Sequence, residues 1–127
     1  TSTRDEYTLD LTKAYDCPNL KSYTRKFVYD RNGKGSLLVE DHFELNKAGS
    51  FESAVITLAD WQEIGDNKIK LSGKQHTAHI KIEVSSPKGY TIIPEKIQEN
   101  GPEFSRIGIR LNEKSKEGYI RTFFEAE

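Results

Sequence analysis

The sequence predicts an all-β fold, an antiparallel β-sandwich of about nine short strands. Apolar and polar residues alternate with a period of two along most of the chain, which is the pattern of a strand buried on one face only. Clusters rich in Gly, Asn and Pro separate these segments at short intervals. The 3.6-residue period of an amphipathic helix is nearly absent. Short strands joined by such turns are typical of sandwiches and barrels.

The first three predicted strands carry aromatic or aliphatic residues at alternate positions. The first strand, 7–12, alternates apolar residues with Thr and Asp. The second, 23–30, has aromatic residues at positions of one parity, and the third, 37–45, follows the turn cluster RNGKG. Asn-Gly between two alternating segments is a strong hairpin signal. We therefore predict that the second and third strands form a hairpin with 32–34 as its loop.

Six further segments alternate in the same way, with the turn clusters NKAGS, IGDN, SSPKG, ENGPE and NEKSKEG between them. The predicted strands are 52–59, 67–72, 77–86, 89–94, 104–112 and 119–126. Only PEKIQEN (94–100) is a candidate for a helical turn.

Length and charge indicate one domain, 1–127, because 127 residues are enough to bury a hydrophobic core. The 19 basic and 20 acidic residues leave a net charge of -1, so no global field attracts nucleic acid or an anionic membrane. The mean hydropathy is -0.72, and no apolar run approaches the ~20 residues that span a bilayer. We therefore expect neither nucleic acid nor a membrane as a partner.

Cysteine and methionine usage adds two constraints. Cys17 is the only cysteine, so no disulfide forms within the chain, although this does not fix the compartment. The sequence contains no Met, not even at its first residue. We therefore expect it to be a piece of a longer protein, whose other parts would carry the chemistry.

One carboxylate interrupts the apolar face of the third predicted strand. Asp41 has the parity of Val39 and Phe43, and the hairpin register places Arg25 opposite it. A buried carboxylate needs a partner, and the guanidinium fork can bind both of its oxygens. We predict that Arg25 and Asp41 form a structural ion pair that fixes the register. The same register sets Tyr29 opposite Leu37, Phe27 opposite Val39 and Tyr23 opposite Phe43.

The sequence predicts no catalytic residue, no metal ligand and no cofactor. His76 and His79 lie three residues apart in an alternating segment, so their side chains point to opposite faces and do not converge as zinc ligands would. His42 likewise points away from Asp41. Cys17 lies in a turn-like segment without a nearby histidine, and no Gly-x-Ser-x-Gly motif is present.

Four residues are candidate contacts for a glycan. Trp61 lies between a predicted strand and a turn, where its ring is either a sugar platform or a cap packed on the core, and packing is favoured. Lys68, Lys70 and Lys74 share one parity and form a lysine stripe. Such a stripe suits an anionic polysaccharide, but edge-strand lysines also prevent aggregation between sheets, which is the favoured role.

Six short motifs follow one another in an order that is shared with a known family. They are LDLTKAY (9–15), RKFVYDR (25–31), LLVEDHFEL (37–45), VITLADW (55–61), IGIRL (107–111) and the terminal IRTFFEAE. This order resembles the C-terminal part of the heparinase II/III-like polysaccharide lyases. There, the phrase around TKAY leads into an Arg-bearing strand, a turn, and a strand that ends in an Asp followed by an aromatic residue.

The resemblance implies a three-part enzyme with an α/α toroid, a central β-sandwich and a small C-terminal β-sandwich. Such enzymes cleave uronic-acid-containing glycans by β-elimination, without a nucleotide cofactor. Their catalytic Tyr and His residues, and the structural zinc of some members, lie in the first two parts, whose motifs do not occur in this chain.

We therefore expect a non-catalytic C-terminal accessory domain of a polysaccharide lyase that is periplasmic or extracellular in a bacterium. Its partners would be the upstream catalytic domains of the same chain, with an acidic polysaccharide as a further candidate. Two alternatives stay open, because a sandwich does not specify a function. One is an independent carbohydrate-binding module that uses Trp61 and the lysine stripe, and the other is an immunoglobulin-like interaction domain.

Overall fold

Ten strands form two antiparallel sheets, so the predicted all-β sandwich is confirmed with one more strand than expected. The structure is a computed structural model that describes residues 3–126, and the predicted domain ends 1 and 127 lie outside the described residues. The strands are β1 Arg4–Asp10, β2 Leu20–Asp30, β3 Ser36–Gly49, β4 Glu52–Thr57, β5 Asp60–Gly65, β6 Lys68–Ser72, β7 Thr77–Val84, β8 Tyr90–Ile97, β9 Phe104–Leu111 and β10 Ser115–Ala126. A short 3-10 turn, Thr12–Ala14, follows β1.

The hydrophobic core lies between a large sheet and a small sheet. The large sheet has the order β1-β2-β3-β10-β7-β6-β5, and the small sheet has the order β4-β9-β8. Both contribute alternate residues to one buried cluster, as the period-two pattern predicts. Burial of each aliphatic side chain contributes about 1.5–3 kcal/mol. The cluster comprises Phe43, Val55, Ile69, Ile80, Ile82, Ile107, Ile109, Leu111 and Ile120.

The hairpin of β2 and β3 has the predicted register, in which Arg25 pairs with Asp41. Its turn is closed by a hydrogen bond of 3.1 Å from the Gly35 N–H to the Asn32 carbonyl. Near the turn, burial does not follow the predicted face, because Tyr29 is 45% exposed while Val28 is only 6% exposed. The small sheet has three strands against seven and covers only part of the large one, so this end of the hairpin lies outside the core cluster.

Two predicted segments are wrong in type. Residues 60–66 separate two predicted strands, with Trp61 before the turn IGDN, but Asp60–Gly65 form β5 and Trp61 lies inside that strand. This strand is almost wholly exposed apart from Trp61, so it has no apolar alternation for a sequence pattern to detect. The candidate helical turn at 94–100 is instead largely strand, since β8 continues through Pro94 to Ile97. A Pro is tolerated there because β8 is at the edge of its sheet.

Strands β3 and β10 are longer than predicted. The segments NKAG and SKEG, expected in turns, extend the two strands, and Ser115 pairs with Gly49 beyond a register shift. Backbone ladder bonds beyond the core require no apolar side chain, so the alternation ends before the strands do.

Candidate functional site

The carboxylate of Asp41 is the most completely bonded charged group in the fold. Its side chain is 1% exposed, and the structure places Arg25 directly beside it. Arg25 donates from Nε to Oδ1 at 2.6 Å and from Nη2 to Oδ2 at 2.9 Å. Tyr23 donates its hydroxyl at 3.0 Å and Ser53 donates its hydroxyl at 2.7 Å, both to Oδ2. Because Ser53 belongs to β4, this network joins the small sheet to the large sheet.

Protonation states in the network are fixed by these contacts. Burial raises the pKa of Tyr23, and the charge of Asp41 raises it further. The hydrogen bond to Asp41 is the main reason why the pKa of Arg25 is raised as well. The Tyr23 hydroxyl also accepts a hydrogen bond of 2.9 Å from Arg25 Nη2. Arg25 therefore stays a cation and Tyr23 stays neutral at ordinary pH, so neither serves as a general base.

A groove of about 500 Å³ opens beside the network, between β2, the segment after the 3-10 turn, and β4. Three of its lining residues are aromatic and form a chain of ring contacts into the core. Tyr15 lies 5.5 Å from Tyr23, whose ring meets Phe51 edge to face at 5.3 Å. Phe51 in turn stacks on Phe43, with 4.2 Å between the ring centres. The groove therefore has an aromatic wall that is supported by the core.

Two guanidinium groups line the same groove, Arg25 and Arg106. Arg106 Nη1 lies 2.6 Å from Glu52 Oε2, and Arg110 Nε lies 3.2 Å from the other oxygen of the same carboxylate. Arg25 Nη1 has no hydrogen-bond partner among residues 3–126, and the ion pair with Glu52 is the one polar contact of Arg106 there. Each guanidinium group is thus paired with one carboxylate and keeps further N–H donors, and the carboxylate of Glu52 also lines the groove.

Sequence patterns did not reveal this groove, because its residues come from segments that lie far apart in the sequence. Ser53 could have been identified from the sequence, since it has the same inward parity as Val55 and is a polar residue on an apolar face. Tyr23 could also have been identified, because it lies two residues from Arg25 on the same face. Nothing in the local sequence placed Tyr15 or Arg106 beside them.

The four candidate glycan contacts do not converge. Trp61 is half-buried against the core and pairs with Leu71, on the face opposite the lysines. Lys68 and Lys70 lie in β6, while Lys74 lies beyond its end. The protective role expected of this stripe is wrong for β6, because β6 lies between β7 and β5 and is not an edge strand. Glycan contact by these residues stays a prediction.

The histidines also stay apart. His42 and His76 are exposed, and His79 lies in β7. Within residues 3–126, no three His, Cys, Asp or Glu side chains are placed to hold a metal ion. In the same part of the chain, no helix has the length and apolar character needed to cross a bilayer.

Comparison with known proteins gives a match among solved structures. No protein-family model matches the sequence, and no curated protein matches it significantly. A solved structure described as the crystal structure of heparinase III matches with a TM-score of 0.65 and 14% sequence identity. The match covers 97% of this chain and 20% of the heparinase III chain, so this chain spans about a fifth of that protein. It shows that the two share a fold over this region.

Arg25→Ala should lower the free energy of unfolding by about 3 kcal/mol, because it leaves a buried carboxylate without its cation. The expected loss is at the lower end of the usual range, since the Arg25 side chain is 29% exposed and water can enter. Lys21→Ala is the control on the same strand, as it removes a pair with Glu44 in which the lysine side chain is 64% exposed, and it should cost less than about 1 kcal/mol. Chemical denaturation measures both, and an unchanged midpoint for Arg25→Ala would refute the role of the pair.

Tyr23→Phe should weaken the alkaline loss of stability. Because its pKa is raised from the usual 10.0, folded Tyr23 keeps its proton at pH values where the unfolded chain releases it. The free energy of unfolding therefore falls as the pH rises above about 10. Denaturation curves above that pH should show a shallower fall for Tyr23→Phe. Part of this fall in stability remains in the variant, because burial also raises the pKa of Tyr90.

Tyr7→Phe is the matched control, since it makes the same chemical change at a side chain that is 63% exposed. Equal slopes for the Tyr23 and Tyr7 variants would show that the Tyr23 proton is not held by the fold.

Proposed function

We propose that this chain is a non-catalytic C-terminal domain of a polysaccharide lyase of the heparinase II/III type. In this role it packs on the catalytic unit of the same polypeptide and stabilises it. The parent enzyme would cleave uronic-acid-containing glycans by β-elimination and would be periplasmic or extracellular. The observation that carries the proposal is the shared fold over 97% of this chain and a fifth of heparinase III.

The chemistry of the Asp41 network supports a structural role. β-Elimination requires a base that removes a proton and an acid that protonates the leaving group. Asp41 instead accepts four hydrogen bonds, and its neighbours Arg25 and Tyr23 both hold their protons tightly. A carboxylate with all its donors in place stabilises a fold rather than moving a proton.

Exposed apolar side chains support contact with another domain. Ile56 is 59% exposed and Leu58 is 72% exposed, and both follow the outward parity of β4. Tyr15, across the groove, is 53% exposed. A domain that packs on a larger unit needs such a surface, whereas an independent binding module has no need of it.

An acidic polysaccharide is the second candidate partner, and one observation favours it. Lys68 pairs with Lys81, so the basic stripe extends from β6 to β7 on the outer face of the large sheet. Like charges on directly paired positions destabilise a sheet slightly. A polyanion bound along β6 and β7 would offset that repulsion.

The coding sequence upstream of residue 1 tests the proposal. It should encode an α/α toroid with catalytic Tyr and His residues, followed by a larger β-sandwich. The pure chain should in turn release no unsaturated uronate from heparin, heparan sulfate, chondroitin or alginate, as followed by ultraviolet absorbance. An unrelated upstream protein, or turnover by the pure chain, would contradict the accessory role.

Affinity electrophoresis in the same four polymers separates the two candidate partners. Retardation that is lost in Lys68→Ala and Lys70→Ala would establish the basic stripe as a glycan site. Retardation that is lost in Trp61→Ala would instead favour an independent binding module over the accessory domain.

A further inference from the structure

The edge strands of the two sheets are protected unequally. Within residues 3–126 the edges are β1 and β5 in the large sheet and β4 and β8 in the small sheet. An open edge invites pairing with another chain, and charges, Pro or bulges normally prevent it. Three of these edges carry such a protection. β1 begins with three charged residues, β5 has a register shift between Glu63 and Gly65, and β8 contains Pro94.

Strand β4 has none of these protections after its first residue. Its sequence is ESAVIT, and its register with β9 runs without a shift. The one charge, on Glu52, is already engaged by Arg106 and Arg110. Ile56 and Leu58 follow on the outward parity and are largely exposed. This edge is therefore better suited to pairing with another strand than to exposure to solvent.

The direction of the β4 backbone can be read from one hydrogen bond. The Leu111 N–H donates to the Phe51 carbonyl at 3.0 Å, one residue before β4 begins. Bonded positions alternate along an antiparallel pair, so the backbone of Ser53 and Val55 also faces β9. The N–H and C=O groups of Ala54 and Ile56 must then point to the open edge, where no described strand pairs with them.

The open edge lies along the groove. Ala54 and Ile56 line the groove together with Tyr15, Arg25 and Arg106. A strand laid beside β4 would therefore find backbone partners, an aromatic wall and two guanidinium groups that keep unused donors. These are the requirements of strand addition, in which backbone bonds give affinity and side-chain pockets give selectivity.

We propose that an extended polypeptide segment with acidic side chains adds to the open edge of β4 and fills the groove. This inference rests on the proposed function, because we assign the added segment to the catalytic unit of the same polypeptide. Only another backbone matches the alternating N–H and C=O groups of Ala54 and Ile56. A second copy of this chain is disfavoured, since its own β4, ESAVIT, carries one carboxylate, Glu52, which Arg106 and Arg110 already neutralise.

A short synthetic peptide of alternating valine and glutamate residues is the probe. Added to the isotope-labelled chain at up to about 1 mM, it should shift the amide resonances of β4 and slow hydrogen exchange at Ala54 and Ile56. Ile56→Glu, which places on the open edge a charge of the same sign as the peptide's, should weaken binding about tenfold or more. Gln62→Glu is the matched control, because it adds the same charge to the exposed edge strand β5 and should leave binding unchanged.

The same peptide with glutamine in place of glutamate tests whether Arg25 and Arg106 contribute to binding. It should bind more weakly, and equal binding would overturn the acidic character of the segment. Three outcomes overturn the proposal: no shift in β4, self-association of the chain that Ile56→Glu abolishes, or a uronate oligosaccharide that perturbs β4 when the peptide does not. Because the peptide needs no parent enzyme, its failure is distinct from an unrelated upstream sequence, which overturns the proposed function and the source of the segment but not the strand-binding edge.

Discussion

A single buried carboxylate connects the parts of this sandwich that matter most. Asp41 lies on β3, yet its donors come from β2 and from β4, which belongs to the other sheet. An ionised carboxylate without partners would cost several kcal/mol in this interior, whereas one with four donors is compatible with it. The same group therefore penalises a slip of the hairpin register and a shift of β4 against β2.

The groove follows from this connection. Ser53 holds β4 to Asp41 of β3, the strand beside β2, and the ring contacts of Tyr15, Tyr23 and Phe51 extend from the core to the surface. Arg25 belongs to both structures, since its Nε and Nη2 bind Asp41 within the network and its side chain also lines the groove. Stability and the proposed docking surface thus share residues, and a change that loosens the network should also disturb the groove.

The sequence predicted what local pattern and turn chemistry determine. Asn-Gly and the parity of the flanking residues were enough to pair Arg25 with Asp41, because a one-residue slip would have reversed the buried face. β5 was missed because it is polar, exposed and at an edge. Ser53 and Arg106 were missed as neighbours of Arg25, because only the packing of two sheets brings them together. Non-local polar contacts leave almost no periodic signal in one sequence.

A double-mutant cycle of Arg25→Ala and Ser53→Ala tests the central claim, that Asp41 joins the two sheets. The two residues belong to different sheets and share Asp41 as their acceptor. Once one donor is lost, the other becomes more important, so the combined loss in unfolding free energy should exceed the sum by about 1 kcal/mol or more. Losses that add within about 0.3–0.5 kcal/mol would show that the two sheets are not coupled through this carboxylate.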